Sequence, residues 1–161
     1  LKKAKSKGYN SHFVDLSQAN FDPVLRYGYH KHMRDETFPR HVQKLIKNAN
    51  HISIFFPIWW SAELSVLKGL VDRVFTPGFA YKYTGKLSHA KLLKGRTTSV
   101  FTSSHGPSLF YKLPGNVLSR WKHLILGFCG IKVKCLKDLG GIDNSSLAQR
   151  VNYIKSCSTT I

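Results

Sequence analysis

Two spacings of hydrophobic residues take turns along this chain. Residues 11–16 alternate, with His12, Val14 and Leu16 on one face and Phe13 on the other, which predicts a strand. Residues 38–49 place Val42, Leu45 and Ile46 at helical spacing, with Pro39 in the first turn, where its missing N–H costs nothing. Residues 51–56 form a largely apolar run of the kind seen in strands buried on both faces. Residues 63–75 return to the helical period, and Leu64, Leu67, Val71, Val74 and Phe75 share one stripe. Thr76-Pro77-Gly78 ends that helix. β-Branched residues at 97–102 predict the next strand, entered through Gly95-Arg96. Residues 116–128 predict a helix with Val117, Trp121, Leu124 and Phe128 inward. Ile131, Val133 and Cys135 then alternate with Lys132, Lys134 and Leu136, an edge strand with a wetter face. Residues 145–157 predict the last helix, capped by Asn144 or Ser145 and packed through Leu147, Val151 and Ile154. Residues 17–32 keep no period and carry Pro23 and Gly28, so they read as a long loop.

Strands that alternate with helices imply an α/β protein, three layers deep, with helices on both faces of a parallel sheet. A length of 161 residues suits one domain, 1–161. Hydrophobic residues at 42% and charged residues at 20% suit a folded core rather than disorder. No apolar run approaches the roughly 20 residues of a membrane span, and no apolar segment follows the basic residues 2–7 as a signal peptide requires. Cys129, Cys135 and Cys157 are scattered and odd in number, which fits a reducing cytoplasm rather than a disulfide scaffold.

The chemistry concentrates where the apolar run ends, at Phe55-Phe56-Pro57-Ile58-Trp59-Trp60. A buried strand there opens onto a flat aromatic surface at its carboxyl end, the place where open α/β sheets bind ligands. A planar, amphipathic ring needs such an aromatic wall, with fixed backbone donors at its edge. The same residues, with Leu67-Lys68-Gly69, Asp72-Arg73-Val74-Phe75 and Gly78-Phe79-Ala80-Tyr81, resemble the hallmark of flavodoxin-like NAD(P)H:quinone oxidoreductases. Asn20-Phe21-Asp22-Pro23, Gly85-Lys86-Leu87 and Phe128-Cys129-Gly130 extend the resemblance. It is strongest to the small bacterial quinone reductases known as modulator of drug activity B proteins.

The resemblance implies a flavodoxin-like fold, a bound FMN or FAD (FMN for so short a chain), NAD(P)H as co-substrate and a quinone as acceptor. It implies that Pro57, Ile58, Trp59 and Trp60 run along the flavin ring, and that Thr102, Ser103, Ser104 and Gly106 close over its other edge. Tyr111 falls near a family tyrosine that shares in proton transfer, but the histidine expected a few residues later is replaced by Asn116 and Val117. His105 is the alternative proton donor, since imidazole titrates near neutrality. Tyr81 and Tyr83 match tyrosines that reach across a homodimer interface into the substrate pocket. Gly69 is expected to allow close helix packing, and Asp72 and Arg73 to cap or pair. His30-Lys31-His32 is poor zinc logic, having i, i+2 spacing and no cysteine nearby.

Residues 1–8 read as the tail of a helix, basic in its last turn and ended by Gly8. The expectation is that a first, central strand and its phosphate-binding turn, roughly 20–25 residues, belong before Leu1. The net charge of +17 calls for an anionic partner (nucleic acid, anionic lipid or a phosphorylated ligand such as NADPH) or for a solvated basic surface with none. Nucleic acid is disfavoured, because exposed aromatics do not alternate with the basic residues. Two rival functions stand beside the enzyme: a flavodoxin-like regulatory subunit of a potassium-efflux system, with a membrane partner, and a non-enzymatic basic binding protein.

Overall fold

The computed structural model describes residues 2–160; Leu1, where the expected helix tail begins, lies outside them. The elements in chain order are α1 (Lys2–Ser6), α2 (Thr37–Asn48), β1 (His51–Pro57), α3 (Ser65–Val74), β2 (Tyr81–Tyr83), β3 (His89–Lys91), β4 (Thr97–Ser103) and α4 (Ser108–Lys112). A long helix follows, made of α5 (Val117–Arg120), a π-helical stretch (Trp121–Leu126) and α6 (Gly127–Cys129). β5 (Lys132–Leu139), a 3-10 turn (Ile142–Asn144) and α7 (Leu147–Thr160) complete the described chain.

β1, β4 and β5 form a parallel sheet in that order. In register, Ile54 faces Val100 and Leu136, while Phe55 faces Phe101 and Lys137. Side chains alternate across a strand, so these two rows mark opposite faces. The first face carries the main core: Phe56 and Val100, with Ile52, Ile54, Val133 and Leu136, pack with Val42 and Ile46 of α2, Leu67 and Val74 of α3, and Val117, Trp121 and Leu126 of the long helix. Right-handed crossovers that step the same way across the sheet put α3 and the long helix on that one face. The second face belongs to α7. Lys137 Nζ donates to the Ser156 carbonyl at 3.0 Å, the Cys157 thiol senses Cys135, and Phe101 is almost wholly buried. The three-layer α/β/α arrangement is therefore present, in the flavodoxin-like form.

Two expected structural roles hold. A Cβ on Gly69 would come within 2.4 Å of Pro23 Cβ, so α3 packs against the 17–32 loop only as glycine permits. Arg73, almost fully buried, donates to the carbonyls of Asp22 (2.5 Å) and Asp35 (2.6 Å) and pairs with Glu36 at 3.1 Å. It pins the loop to α2 and α3. Asp72 pairs with Lys68 one turn back.

Five expectations need correction. Residues 11–16 form no strand, because no ladder partner lies beside them among the described residues; Val14 and Leu16 still pack on the core. β1 is not buried on both faces: it is an edge of the described sheet, and Phe55 stands 58% exposed. Glu63 precedes α3 rather than starting it. Leu124 is exposed and Leu126 is buried in its place, because the wider π turn rotates the residues after Trp121. Leu147, Val151 and Ile154 of α7 lie exposed, while Tyr153 and Cys157 make its contacts with the sheet.

Candidate active site

Parallel strands bring three connections to one pole, the carboxyl ends of β1, β4 and β5. At β1 the chain is locked before it turns. Phe56 is buried with its ring 5.2 Å from that of Trp121, and the Ile58 N–H donates to the Ser103 carbonyl at 2.8 Å. Trp59 and Ala62 then exchange backbone hydrogen bonds of 3.0 and 2.9 Å. Between them Trp60 and Ser61 take positive φ of 51° and 56°. Side chains there cost on the order of 1–3 kcal/mol each, and such residues gather at functional sites. The Trp60 and Ser61 N–H groups donate to no backbone carbonyl among the described residues. Trp60 is fully exposed and Trp59 65% exposed.

The backbone amides of this turn are not equivalent. Pro57 has no N–H, the Ile58 N–H is spent on the Ser103 carbonyl of β4, and the Trp59 N–H is spent within the turn on Ala62. Trp60 and Ser61 hold the free ones, and Ser61 was not singled out by its sequence. A planar ring with acceptors along one edge fits that pair of donors and the indole faces beside it.

Glu63, just beyond the turn, is 2% exposed. It accepts hydrogen bonds from both terminal nitrogens of Arg120 and from Trp121 Nε1 at 3.0 Å. Burial pushes its carboxyl up, but these donors outweigh burial and hold it below its ordinary value of 4.5. The cluster ties the turn to the long helix.

The loop after β4 is fixed by Asp138 of β5. Thr102 Oγ1 donates to Asp138 Oδ1 at 2.7 Å and Ser104 Oγ to Oδ2 at 2.6 Å. Thr102 and Ser104 are buried, and the Ser103 carbonyl is taken by Ile58. The hydroxyls of Thr102 and Ser104 thus brace the loop from within. The Gly106 carbonyl accepts from Ser104 Oγ and from the Gly141 N–H, both at 3.2 Å. Tyr111 is buried in the core, with its hydroxyl so close that a Cβ on Gly106 would meet it at 2.9 Å. His105 is exposed, and its Nδ1 lies 2.5 Å from Asp143 Oδ2.

Tyr81 and Tyr83 are not at this pole. Tyr81 packs edge-on against Phe128 at 5.0 Å and against Tyr83 at 5.4 Å. Phe128 sits in the last turn of the long helix, which descends to the amino end of β5. Burial, reinforced by Tyr29 and Tyr83, pushes the Tyr81 hydroxyl up to about 12. A groove of about 540 Å³ lies elsewhere, between α2, the 25–32 loop and residues 76–79, and none of the predicted site residues lines it.

Comparison with known proteins agrees with this architecture. The family model described as flavodoxin-like fold matches residues 1–150. An uncharacterized NAD(P)H oxidoreductase of Haemophilus influenzae is 32% identical over 135 residues, which cover 80% of this chain and 66% of that protein. Human ribosyldihydronicotinamide dehydrogenase [quinone] is 33% identical over 97 residues, 56% of this chain and 42% of that protein. The chain thus spans less than two thirds of the length of both. Among solved structures, Smu.1420 of Streptococcus mutans superposes with a TM-score of 0.79 at 30% identity, covering 99% of this chain and 88% of that one. With its sheet, its aromatic turn and its family match in agreement, the chain belongs to the flavodoxin-like NAD(P)H:quinone oxidoreductase family.

Proposed function

We propose that the protein acts in NAD(P)H-dependent oxidoreduction, as a flavin-dependent reductase of quinone-type acceptors. The observation that carries this is the left-handed turn at Trp60-Ser61, which presents two unused N–H donors beside two exposed indoles. The names of the relatives, an NAD(P)H oxidoreductase and a quinone dehydrogenase, support the chemical class. FMN is the flavin favoured, with FAD the other choice. A bound flavin supplies the two-electron relay between nicotinamide and quinone.

The chain's own part is positional and electrostatic. Trp59 and Trp60 supply the stacking surface on which flat rings pile. The Trp60 and Ser61 N–H groups stabilise negative charge that grows on a ring edge as it is reduced. The Thr102–Gly106 loop, stiffened by Asp138, walls the opposite side. Quinone reduction consumes a proton as well as a hydride. His105, exposed and oriented by Asp143, can deliver that proton from solvent, whereas Tyr111 lies behind Gly106 in the core and would have to relay it. Tyr81 and Tyr83 would reach a substrate only from a second copy, which is the reason to expect a homodimer.

The test is direct. Purified protein is titrated with FMN and FAD while tryptophan fluorescence and the flavin absorption band are followed. NADH or NADPH oxidation is then measured with and without a quinone. Flavin binding with quinone-dependent NAD(P)H oxidation supports the reading; flavin binding with no oxidation of NADH or NADPH, with or without quinone, overturns it.

A further inference from the structure

The molecule's charge is distributed unevenly, and the fold gathers it. Residues 73–137 contain twelve lysines and arginines and no aspartate or glutamate. Much of that stretch builds the pole opposite the candidate active site, where the strands begin. Lys94 leads into β4, Lys132 and Lys134 open β5, and Lys47 ends α2. The Lys132 N–H donates to the Arg96 carbonyl at 2.9 Å, and Arg96 in turn donates to the carbonyls of Ile46 (2.8 Å) and Lys47 (2.6 Å). A Cβ on Gly130 would touch both Lys91 and Lys94. These groups are therefore neighbours on one surface. Arg96 and Lys91 satisfy carbonyls at helix ends, the latter at Gly127 (2.8 Å). Lys47, Lys94, Lys132 and Lys134 are exposed and make no ion pair among the described residues.

One apolar side chain is exposed among them. Leu92, 40% exposed, lies between Lys91 and Lys94. No helix among the described residues is long and apolar enough to cross a membrane. We propose that this basic pole, with Leu92 exposed among its lysines, docks the protein peripherally on an anionic phospholipid bilayer. The inference does not rest on the proposed reaction.

Charge complementarity selects that partner. A cluster of four or more lysines is what an anionic lipid surface attracts, at about fivefold in binding for each cation close to it. An exposed leucine between the lysines, Leu92, adds insertion into the interface, which charge alone does not. Nucleic acid would favour a groove with arginines free to fork onto phosphate and aromatics to stack on bases. Here the one arginine is occupied by helix carbonyls. Docked by this end, the protein leaves the carboxyl-end site facing water.

The experiment is vesicle co-sedimentation of the full chain with phosphatidylcholine vesicles and with vesicles containing about 30% phosphatidylserine. Binding is expected to the anionic vesicles only, and to weaken as salt is raised. The variant Lys94→Gln/Lys132→Gln/Lys134→Gln should lose about a hundredfold in partitioning. Leu92→Ser, at unchanged charge, should also weaken it. The control Lys5→Gln/Lys31→Gln/Lys155→Gln removes equal charge elsewhere and should bind as the parent does, with folding of every variant checked by circular dichroism. Equal binding to neutral vesicles, an equal loss in the control, or displacement from the vesicles by a short DNA duplex would each overturn the proposal, the last in favour of a nucleic-acid surface.

Discussion

Glu63 and Arg120 join the two halves of the candidate site: a carboxylate 2% exposed on the aromatic turn meets a guanidinium at the end of α5, with Trp121 as a third partner. Removing Arg120 leaves a buried carboxylate unmatched, and removing Glu63 takes the acceptor from the buried Trp121 Nε1 and the partner from a half-buried guanidinium. Glu63→Ala should therefore destabilise the protein by about 3 kcal/mol, and Glu63→Gln by less, since the amide can still accept from Trp121. The pH dependence has a definite sign. The folded-state value of Glu63 lies below its ordinary 4.5, so its contribution is present above that value and is lost as pH falls through the lower folded one. Urea unfolding from pH 7 to pH 3 should show the parent losing its margin over Glu63→Gln on the acid side. A margin that stays constant across that range would contradict the assignment.

Asp138 holds the loop after β4 through Thr102 and Ser104. Asp138→Ala takes the short acceptor from two buried hydroxyls and leaves them only the Gly106 carbonyl at 3.2 Å and the Lys137 carbonyl at 3.5 Å, a loss on the order of 1–3 kcal/mol. Asp138→Asn keeps one acceptor and one donor and should recover part of the loss. The two melting temperatures, with hydrogen exchange of the 102–106 amides, separate bracing of the loop from a direct part in ligand binding. A brace predicts faster exchange in that loop without ligand.

Above pH 10 the sign reverses. Tyr81 is held up to about 12 and Tyr153 is raised further, in both cases chiefly by burial. An unfolded tyrosine ionises near 10 while these two stay protonated in the fold, so stability declines as pH climbs from 10 towards 12. Tyr81→Phe and Tyr153→Phe should each flatten that decline in thermal melts. Tyr153→Phe should carry a further cost at neutral pH, because its hydroxyl donates to the Thr102 carbonyl at 2.7 Å.

Much of this architecture was legible because it depends on local pattern. The period at 38–49, the breakers at 76–78 and the β-branched run at 97–102 each matched an element to within a residue or two. What failed depends on non-local partners. Val14 and Leu16 keep a strand's alternation, yet a strand exists only beside another one. Leu124 follows the helical period faithfully, but the π turn around it resets the phase. In α7 the apolar stripe of Leu147, Val151 and Ile154 points away from the sheet, and the helix is held by polar and sulfur contacts from Tyr153 and Cys157. At the site, the sequence pointed to the aromatic turn, but hydrogen bonding decides which amides are free. That moved the donors to Trp60 and Ser61 and turned Thr102 and Ser104 into braces. Glu63 looked like the first residue of a helix, and only folding brings Arg120 and Trp121 to it.

Trp60 gives the sharpest test of the site. A tryptophan buried in a core costs roughly 3–5 kcal/mol when cut to alanine, and Trp121, almost wholly buried against Phe56, is expected to behave so. Trp60 is fully exposed and buries nothing within the chain. Its replacement by alanine should shift stability by no more than about 0.5 kcal/mol, as at an ordinary surface position. If its indole is the wall on which the flavin and its partners stack, losing it should still weaken FMN binding and quinone turnover, by up to about tenfold, the scale of one aromatic stacking contact. Trp60→Phe, which keeps a flat ring, should restore most of both. Melting and FMN titration of Trp60→Ala, Trp60→Phe and Trp121→Ala side by side read the two quantities separately. A Trp60→Ala protein that binds FMN as the parent does would remove Trp60 from the site.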